Sequence, residues 1–260
     1  MTNSVAIRPI PAFNDNYIWC LNAGTQAAVV DPGDAAPVLA FLEQQNLTLS
    51  AILVTHHHFD HVDGIAALLA RWPQATVYGP DNGVESIEHR LSDGDQISVF
   101  DLTFSVLAVP GHTLDHIAYF CEPEVGEPIL FCGDTLFAGG CGRIFEGTPP
   151  QMKASLEKLA RLPASTAVYC AHEYTLANLN FALAAEPGNT ALQARFEKDS
   201  QSREQGIPTV PSKIDVELAT NPFLRSHSPE LQQRVIEHGK LDKPTETEIF
   251  TALRQWKNEF

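Results

Sequence analysis

Short apolar runs recur through the first two thirds of the chain, and most of them stop at Gly, Pro, Asp or His. Val5 to Ile10, Tyr17 to Leu21 and Ala27 to Val30 read as strands, parted by Asn14-Asp15-Asn16 and closed by Asp31-Pro32-Gly33. Hairpins of this kind predict an antiparallel or mixed sheet. Pro37 to Glu43 has helical periodicity, Ala51-Ile52-Leu53-Val54 reads as a buried strand, and Ile65 to Trp72 is helical again until Pro73 stops it. Further strands are predicted at Thr76 to Gly79, Gln96 to Val99, Leu102 to Leu107, Ile117 to Cys121, Ile129 to Phe131 and Thr166 to Cys170. From about residue 176 the texture changes. Asn178 to Ala185, Ala191 to Gln205, Pro229 to His238 and Glu246 to Asn258 look helical, parted by Pro187-Gly188-Asn189, Gly206-Ile207-Pro208 and Pro244-Thr245. The pattern predicts an α/β domain over residues 1–173 followed by a small all-α domain over 174–260.

Four of these strands end in side chains that bind metals. After Val54 comes Thr55-His56-His57-His58-Phe59-Asp60-His61-Val62-Asp63, where a strand hands over to a helix. In an extended segment positions i and i+2 point the same way, so His56 and His58 reach one metal while His57 points elsewhere. Asp60 and His61 fall where the chain turns and face a second metal nearby. Pro110-Gly111 turns the chain to present His112, Gly133 precedes Asp134, and the strand ending at Cys170 runs into His172. A solvated histidine-rich turn would account for the first cluster but not for the three later matches. Seven donors, all N or O, suit two borderline metals such as zinc, with iron and manganese compatible. Asp31, at the end of a strand, is either a turn-former or a partner that holds a ligand or its loop in place. His116 is read as a packing residue or a partner outside the ligand set, not as a ligand.

Composition narrows the function classes. Among 260 residues, 44% are hydrophobic and 19% charged, an ordinary globular mix. No apolar run approaches the roughly 18 residues of a membrane span, and Met1 to Arg8 lacks the basic leader and apolar block of a secretory signal, so a cytoplasmic location is expected. The five cysteines are scattered, with no C-x-x-C pair, and read as buried thiols. The net charge of −15 opposes binding to nucleic-acid backbones. That charge is uneven: residues 1–173 carry 7 Lys and Arg against 20 Asp and Glu, whereas 174–260 carry 10 against 12. The more basic end suits an anionic small molecule. No membrane partner is expected, and the chain is taken as a monomer.

The pattern H-x-H-x-D-H resembles the signature of the metallo-β-lactamase superfamily. Five other stretches are similar to glyoxalase II, the hydroxyacylglutathione hydrolases: Gly133-Asp134-Thr135-Leu136-Phe137-Ala138-Gly139-Gly140-Cys141-Gly142-Arg143, Ala171-His172-Glu173-Tyr174-Thr175, Pro11 to Tyr17, Pro208 to Ser212 and Asn221 to Arg225. The resemblance implies an αβ/βα sandwich of two mixed sheets with helices outside, plus a C-terminal all-α domain that binds glutathione. It also implies a division of ligands. His56, His58 and His112 hold one metal, Asp60, His61 and His172 the other, and Asp134 bridges the two. The implied reaction is hydrolysis of S-D-lactoylglutathione to D-lactate and glutathione by a hydroxide shared between the metals, the second step of methylglyoxal detoxification. Asp60 is the residue that orients this nucleophile. The positions matching the family's glutathione contacts are Arg143, Phe145, Tyr174, Arg254 and Lys257. Some members have Lys and Tyr in place of Arg143 and Phe145. Phe145 cannot donate a hydrogen bond, so its implied role is packing.

Other readings of the same residues are a one-iron persulfide dioxygenase, a β-lactamase or lactonase, a nuclease, and a metal-binding module without turnover. The complete second ligand set, the C-terminal helices with their basic pair, the acidic charge and the open coordination of a mixed donor set argue against them in turn.

Overall fold

The computed structural model describes residues 5–260. Part of the stretch read above as lacking a leader, residues 1–4, lies outside them. The described chain forms two compact units. The first runs to Ala108 and takes in Asp115–Gly133, and the second comprises Val109–Leu114 and Asp134–Phe260.

In the first unit, strands β1 (Ala6–Ala12), β2 (Asn16–Ala23) and β3 (Gln26–Val30) form the expected antiparallel meander. Helix α1 (Ala35–Gln44) follows, capped where the Asp34 side chain accepts from the Ala36 amide. Strand β4 (Thr48–Leu53) then lies parallel to β3. The chain continues through α2 (Phe59–Val62), α3 (Ile65–Arg71), β5 (Thr76–Pro80) and β6 (His89–Leu91). The sheet order is β1-β2-β3-β4-β5-β6, antiparallel at its start and parallel from β3 onward. Ile18, Val29, Ile52, Val54 and Val77 form its core with Val38 and Leu42 of α1 and Ile65 and Leu68 of α3. Helices cover the parallel strands because every β-α-β crossover must lay one there. Strands β7 (Gln96–Val99), β8 (Leu102–Ala108), β9 (Ile117–Cys121) and β10 (Ile129–Gly133) add an antiparallel meander. The short α2 and β6 have no counterpart in the sequence reading.

The second unit starts after Gly133 with a tight hairpin, β11 (Leu136–Phe137) and β12 (Gly140–Cys141). It continues with α4 (Pro149–Ala160), β13 (Ala167–Cys170), α5 (Thr175–Ala185), α6 (Thr190–Glu204), β14 (Ser212–Lys213), α7 (Ile214–Thr220), α8 (Pro229–Gly239) and α9 (Glu246–Glu259). A 3-10 turn spans Pro222–Leu224. Helices α5, α6, α8 and α9 match the periodicity within a few residues. Helix α4 is absent from the sequence reading, although Thr148 and Gln151 form a capping box with proline at its first positions. Strand β14 and helix α7 occupy a stretch read as a connection.

Buried polar groups organise this unit. Glu217, fully buried, pairs with Arg195 at 2.7 Å and with the Ser212 hydroxyl, and its Oε2 accepts from the Gly139 amide at 2.8 Å and from Asn221 Nδ2 at 2.9 Å. Asn221 also donates to the carbonyls of Phe137 and Gly140 at 3.2 and 2.8 Å, and Asn178 donates to that of Ala138 at 3.1 Å. The β11–β12 hairpin is therefore held by side chains from α5, α7 and the turn after α7. Glu186, at the end of α5, takes a two-pronged pair from Arg225 at 2.7 and 2.8 Å and a further bond from Ser228.

Two tests follow from this packing. Gly133 lies at φ +47°, and a Cβ there would stand 2.3 Å from Thr55 Oγ1 and 2.9 Å from the His116 ring. Gly133→Ala is expected to lose roughly 2 kcal/mol or more of stability, seen as a lower urea midpoint, whereas an unshifted midpoint would show the site relaxes. Burial pushes the Glu186 carboxyl up, but its bonds from Arg225, Ser228 and Asn189 outweigh this and leave it below the usual Glu value. A carboxylate with a depressed folded pKa contributes stability at neutral pH that disappears as pH falls through the folded value. Thermal melts across the acid range should show Glu186→Gln flattening that decline, and parallel curves for the two proteins would remove Glu186 from it.

Candidate metal centre

In the first unit the donors are arranged around Asp31, which is 4% exposed. Its Oδ1 accepts from the Thr55 amide at 2.7 Å and its Oδ2 from the Thr55 hydroxyl at 2.8 Å. The same Oδ2 lies 3.0 Å from His61 Nδ1. This close contact orients the His61 ring, with Nδ1 toward the carboxylate. Thr55 Oγ1, with its proton directed at Asp31, lies 3.1 Å from His56 Nδ1, which leaves His56 Nε2 as that ring's donor. The segment is fixed further by the Tyr119 hydroxyl on the Val54 carbonyl at 2.7 Å and the Ile117 amide on that of Thr55 at 2.9 Å.

His56 Nε2 meets His58 Nδ1 at 3.1 Å. Two nitrogens held at about 2.0–2.1 Å by one tetrahedral zinc sit roughly 3.3–3.4 Å apart, so this spacing fits a shared cation. Asp60, at the start of α2, has Oδ2 3.5 Å from His61 Nε2 and accepts there from Asn16 Nδ2 at 3.0 Å. His57 turns away, with Nδ1 2.9 Å from Asp115 Oδ1, and Asn82 donates to the other oxygen of Asp115 at 2.8 Å. The ring of His116 stacks on His56 with centroids 4.6 Å apart and 16° between planes, the packing role expected for it.

In the second unit Asp134 stands between two histidines. Its Oδ2 is 3.3 Å from His112 Nε2 and its Oδ1 3.4 Å from His172 Nε2. His112 Nδ1 donates to the Arg143 carbonyl at 2.7 Å, which fixes its tautomer with Nε2 toward Asp134. Gly142 allows this closeness, because a Cβ there would fall 1.9 Å from the Asp134 carbonyl oxygen. All three residues are buried. Polar groups concentrated in this way, with imidazole nitrogens and carboxylate oxygens turned toward one another, fit divalent metal ions.

The five residues matched to glutathione contacts belong to this second unit. Tyr174 stacks on His172 at 4.6 Å and 5° between planes, and Phe137 of β11 packs edge-on to both rings. Phe145, 60% exposed, lies edge-on to the His112 ring at 5.3 Å, and the Arg143 guanidinium is 5.8 Å from its centre. Arg254 and Lys257, three apart on α9, both face inward. Arg254 is 7% exposed, donates to the Cys141 carbonyl at 2.9 Å and lies over Phe223, and its buried Nε has no protein partner. Lys257 donates to the Ala177 carbonyl at 3.2 Å and lies over Phe181. Burial, and then the adjacent Arg254, pull its ammonium below the usual lysine value.

Several residues that shape these sets escape sequence reasoning. Asn16 lies within the Pro11 to Tyr17 stretch and Asn221 opens the Asn221 to Arg225 stretch, and both side chains bond to partners distant in sequence, Asp60 for the first and the Phe137 and Gly140 carbonyls for the second. Thr209, within Pro208 to Ser212, bonds through its amide and hydroxyl to Glu173, beside His172. The signal is present as unusual polar-proline motifs, but their partners are distant in sequence.

A family model described as the metallo-beta-lactamase superfamily matches residues 13–172, and one described as the hydroxyacylglutathione hydrolase C-terminus matches residues 173–260. The hydroxyacylglutathione hydrolase of Photobacterium profundum is 52% identical over 258 residues, covering 98% of this chain and 100% of that one. The protein of the same name from Pseudomonas aeruginosa (strain LESB58) is 53% identical over 262 residues, with 98% and 100% covered. Among solved structures, that of ETHE1 from Myxococcus xanthus aligns with a TM-score of 0.65 and 28% identity over 97% of this chain and 99% of its own. The fold is thus the metallo-β-lactamase one, two mixed sheets with helices, followed by a helical C-terminal region. With relatives more than half identical from one end to the other, and a C-terminal model specific to them, the chain belongs to the hydroxyacylglutathione hydrolase family of the metallo-β-lactamase superfamily.

Proposed function

We propose that this protein hydrolyses S-D-lactoylglutathione and related 2-hydroxyacyl-glutathione thioesters to the hydroxy acid and glutathione, at a centre of two divalent metals held by His56, His58, Asp60, His61, His112, Asp134 and His172. The observation that carries the reading is Asp134, whose two carboxylate oxygens each face a different histidine. That is the disposition of a carboxylate shared between two cations. Zinc suits this N/O donor set, and iron and manganese suit it too. When bound, such a metal pair supplies a nucleophile at neutral pH and Lewis acidity toward the thioester carbonyl.

The chain's own residues supply positioning. His56 and His112 each have Nδ1 engaged and present Nε2, and the His61 ring is oriented by its contact with Asp31. Asp60, steadied by Asn16, orients the attacking water. The leaving group is a thiolate and needs little proton assistance. Arg143, Tyr174, Arg254 and Lys257 hold the anionic glutathione moiety, and Phe145 packs against it, so that remote binding places the reacting carbon. The helical region is read as the glutathione-binding domain, residues 174–260 against a catalytic domain of 1–173. Among the described residues no helix is long and apolar enough to cross a membrane. Five buried free cysteines accord with the reducing cytoplasm, and we take the enzyme to be a monomer.

Two variants test this reading. Asp134→Ala should lose both metals and hydrolysis of lactoylglutathione together, as measured by elemental analysis beside thioester kinetics. Full activity with two metals retained would sink the bridging role. The double variant Arg254→Ala with Lys257→Ala should raise KM for lactoylglutathione at least about tenfold while kcat falls less. An unchanged KM would mean that α9 does not hold the substrate.

A further inference from the structure

The Pro11 to Tyr17 stretch holds two features that the proposed reaction does not use. The β1–β2 hairpin closes on the pair Ala12 and Asn16, so Phe13 rides on the turn between them. Its backbone is left-handed, φ +49°, a conformation that is strained for a side chain such as Phe and that Gly or Asn adopts far more readily. Its ring is 52% exposed. Phe59, the first residue of α2 and the one just before Asp60, is 65% exposed. The two rings meet edge-on with centroids 6.3 Å apart and 74° between planes. Neither belongs to the core of this unit. The turn is tied to the same place from its other end, where Asn16 donates to Asp60 Oδ2 at 3.0 Å.

A turn built only for stability would carry a small polar residue here, and a surface helix would not open on an exposed Phe. Strain together with two exposed rings beside a functional carboxylate points to an apolar ligand group. The glutathione moiety is assigned above to Arg143, Phe145, Tyr174, Arg254 and Lys257, which leaves these two rings to another part of the substrate. The substituent on the acyl carbon fits them, since the carbonyl that carries it reacts beside Asp60.

We propose that Phe13 and Phe59 form the acyl subsite, an apolar wall that selects 2-hydroxyacyl groups bearing a methyl, alkyl or aryl substituent over the unsubstituted glycoloyl group. This rests on the hydrolase reading above and adds the determinant of acyl preference. The orientation of the rings suits an aryl substituent in particular, since a third ring can pack against an edge-on pair.

The test compares kcat/KM of the metal-loaded full chain on three thioesters of glutathione: glycoloyl, D-lactoyl and D-mandeloyl. The wild type should favour mandeloyl and lactoyl over glycoloyl. Phe59→Ala and Phe13→Ala should each lower the mandeloyl-to-glycoloyl ratio by roughly five- to twentyfold, the size expected for losing one apolar contact surface. Phe59→Leu should restore part of it. Metal content and melting temperature of each variant report separately on a merely structural role. Ratios that stay within twofold of wild type in both alanine variants overturn the subsite while leaving the hydrolase reading intact. A wild type that turns over none of the three thioesters overturns both.

Discussion

One buried carboxylate governs the first unit. Asp31 binds the Thr55 amide and hydroxyl and faces His61, and through Thr55 it reaches His56. Imidazole can present either nitrogen, and a metal needs the unprotonated one. Through the Thr55 hydroxyl, Asp31 settles that choice for His56, and by close contact it orients the His61 ring. It does so from the tight turn after β3, where its own φ is +55°. The backbone there is closed by the Gly33 amide on the Asp31 carbonyl at 2.9 Å. A residue that looks like turn chemistry in sequence is turn chemistry, and the same geometry places it against two side chains proposed as metal ligands.

The second unit applies the same logic on a larger scale. Glu217 and Arg195 are both buried, an arrangement whose desolvation cost is offset only if every lone pair and proton is engaged. The Glu217 carboxylate meets that condition with Arg195, Ser212, Asn221 and the Gly139 amide. What it secures is the hairpin that carries Phe137 and Cys141, hence the packing beside His172 and Tyr174 and the seat of Arg254. The C-terminal helices therefore act as a frame for the loop that follows Asp134.

How much of this can be read from sequence depends on range. Strands β1 to β5 and β7 to β10, and the long helices, follow from local periodicity. The residues proposed as ligands are legible because each group of them comes soon after a strand end, where the chain must turn. Helix α4 escapes because its helical stripe begins after two prolines, which read as a break although proline is favoured at a first turn. Helix α7 escapes because Ile214 to Thr220 is short and mixed in polarity. The role of Asn221 is out of reach for a different reason. Its partners, Phe137 and Gly140, lie more than eighty positions away, and a side-chain bond to a distant carbonyl leaves no periodic trace. Periodicity places Arg254 and Lys257 on one helix face correctly, but the depth of Arg254 depends on Cys141 and Phe223, which only the folded chain brings to it.

All five cysteines are buried, and burial raises the thiols of Cys20 and Cys170 to about 12. Thiolate is the form that attacks disulfides and electrophiles, so at neutral pH these sulfurs are chemically quiet. For a catalyst that releases a thiol, that quietness has a practical meaning. Mixed disulfides with the released tripeptide find no foothold on the folded chain, and a colorimetric thiol reagent added during turnover counts the product rather than the protein.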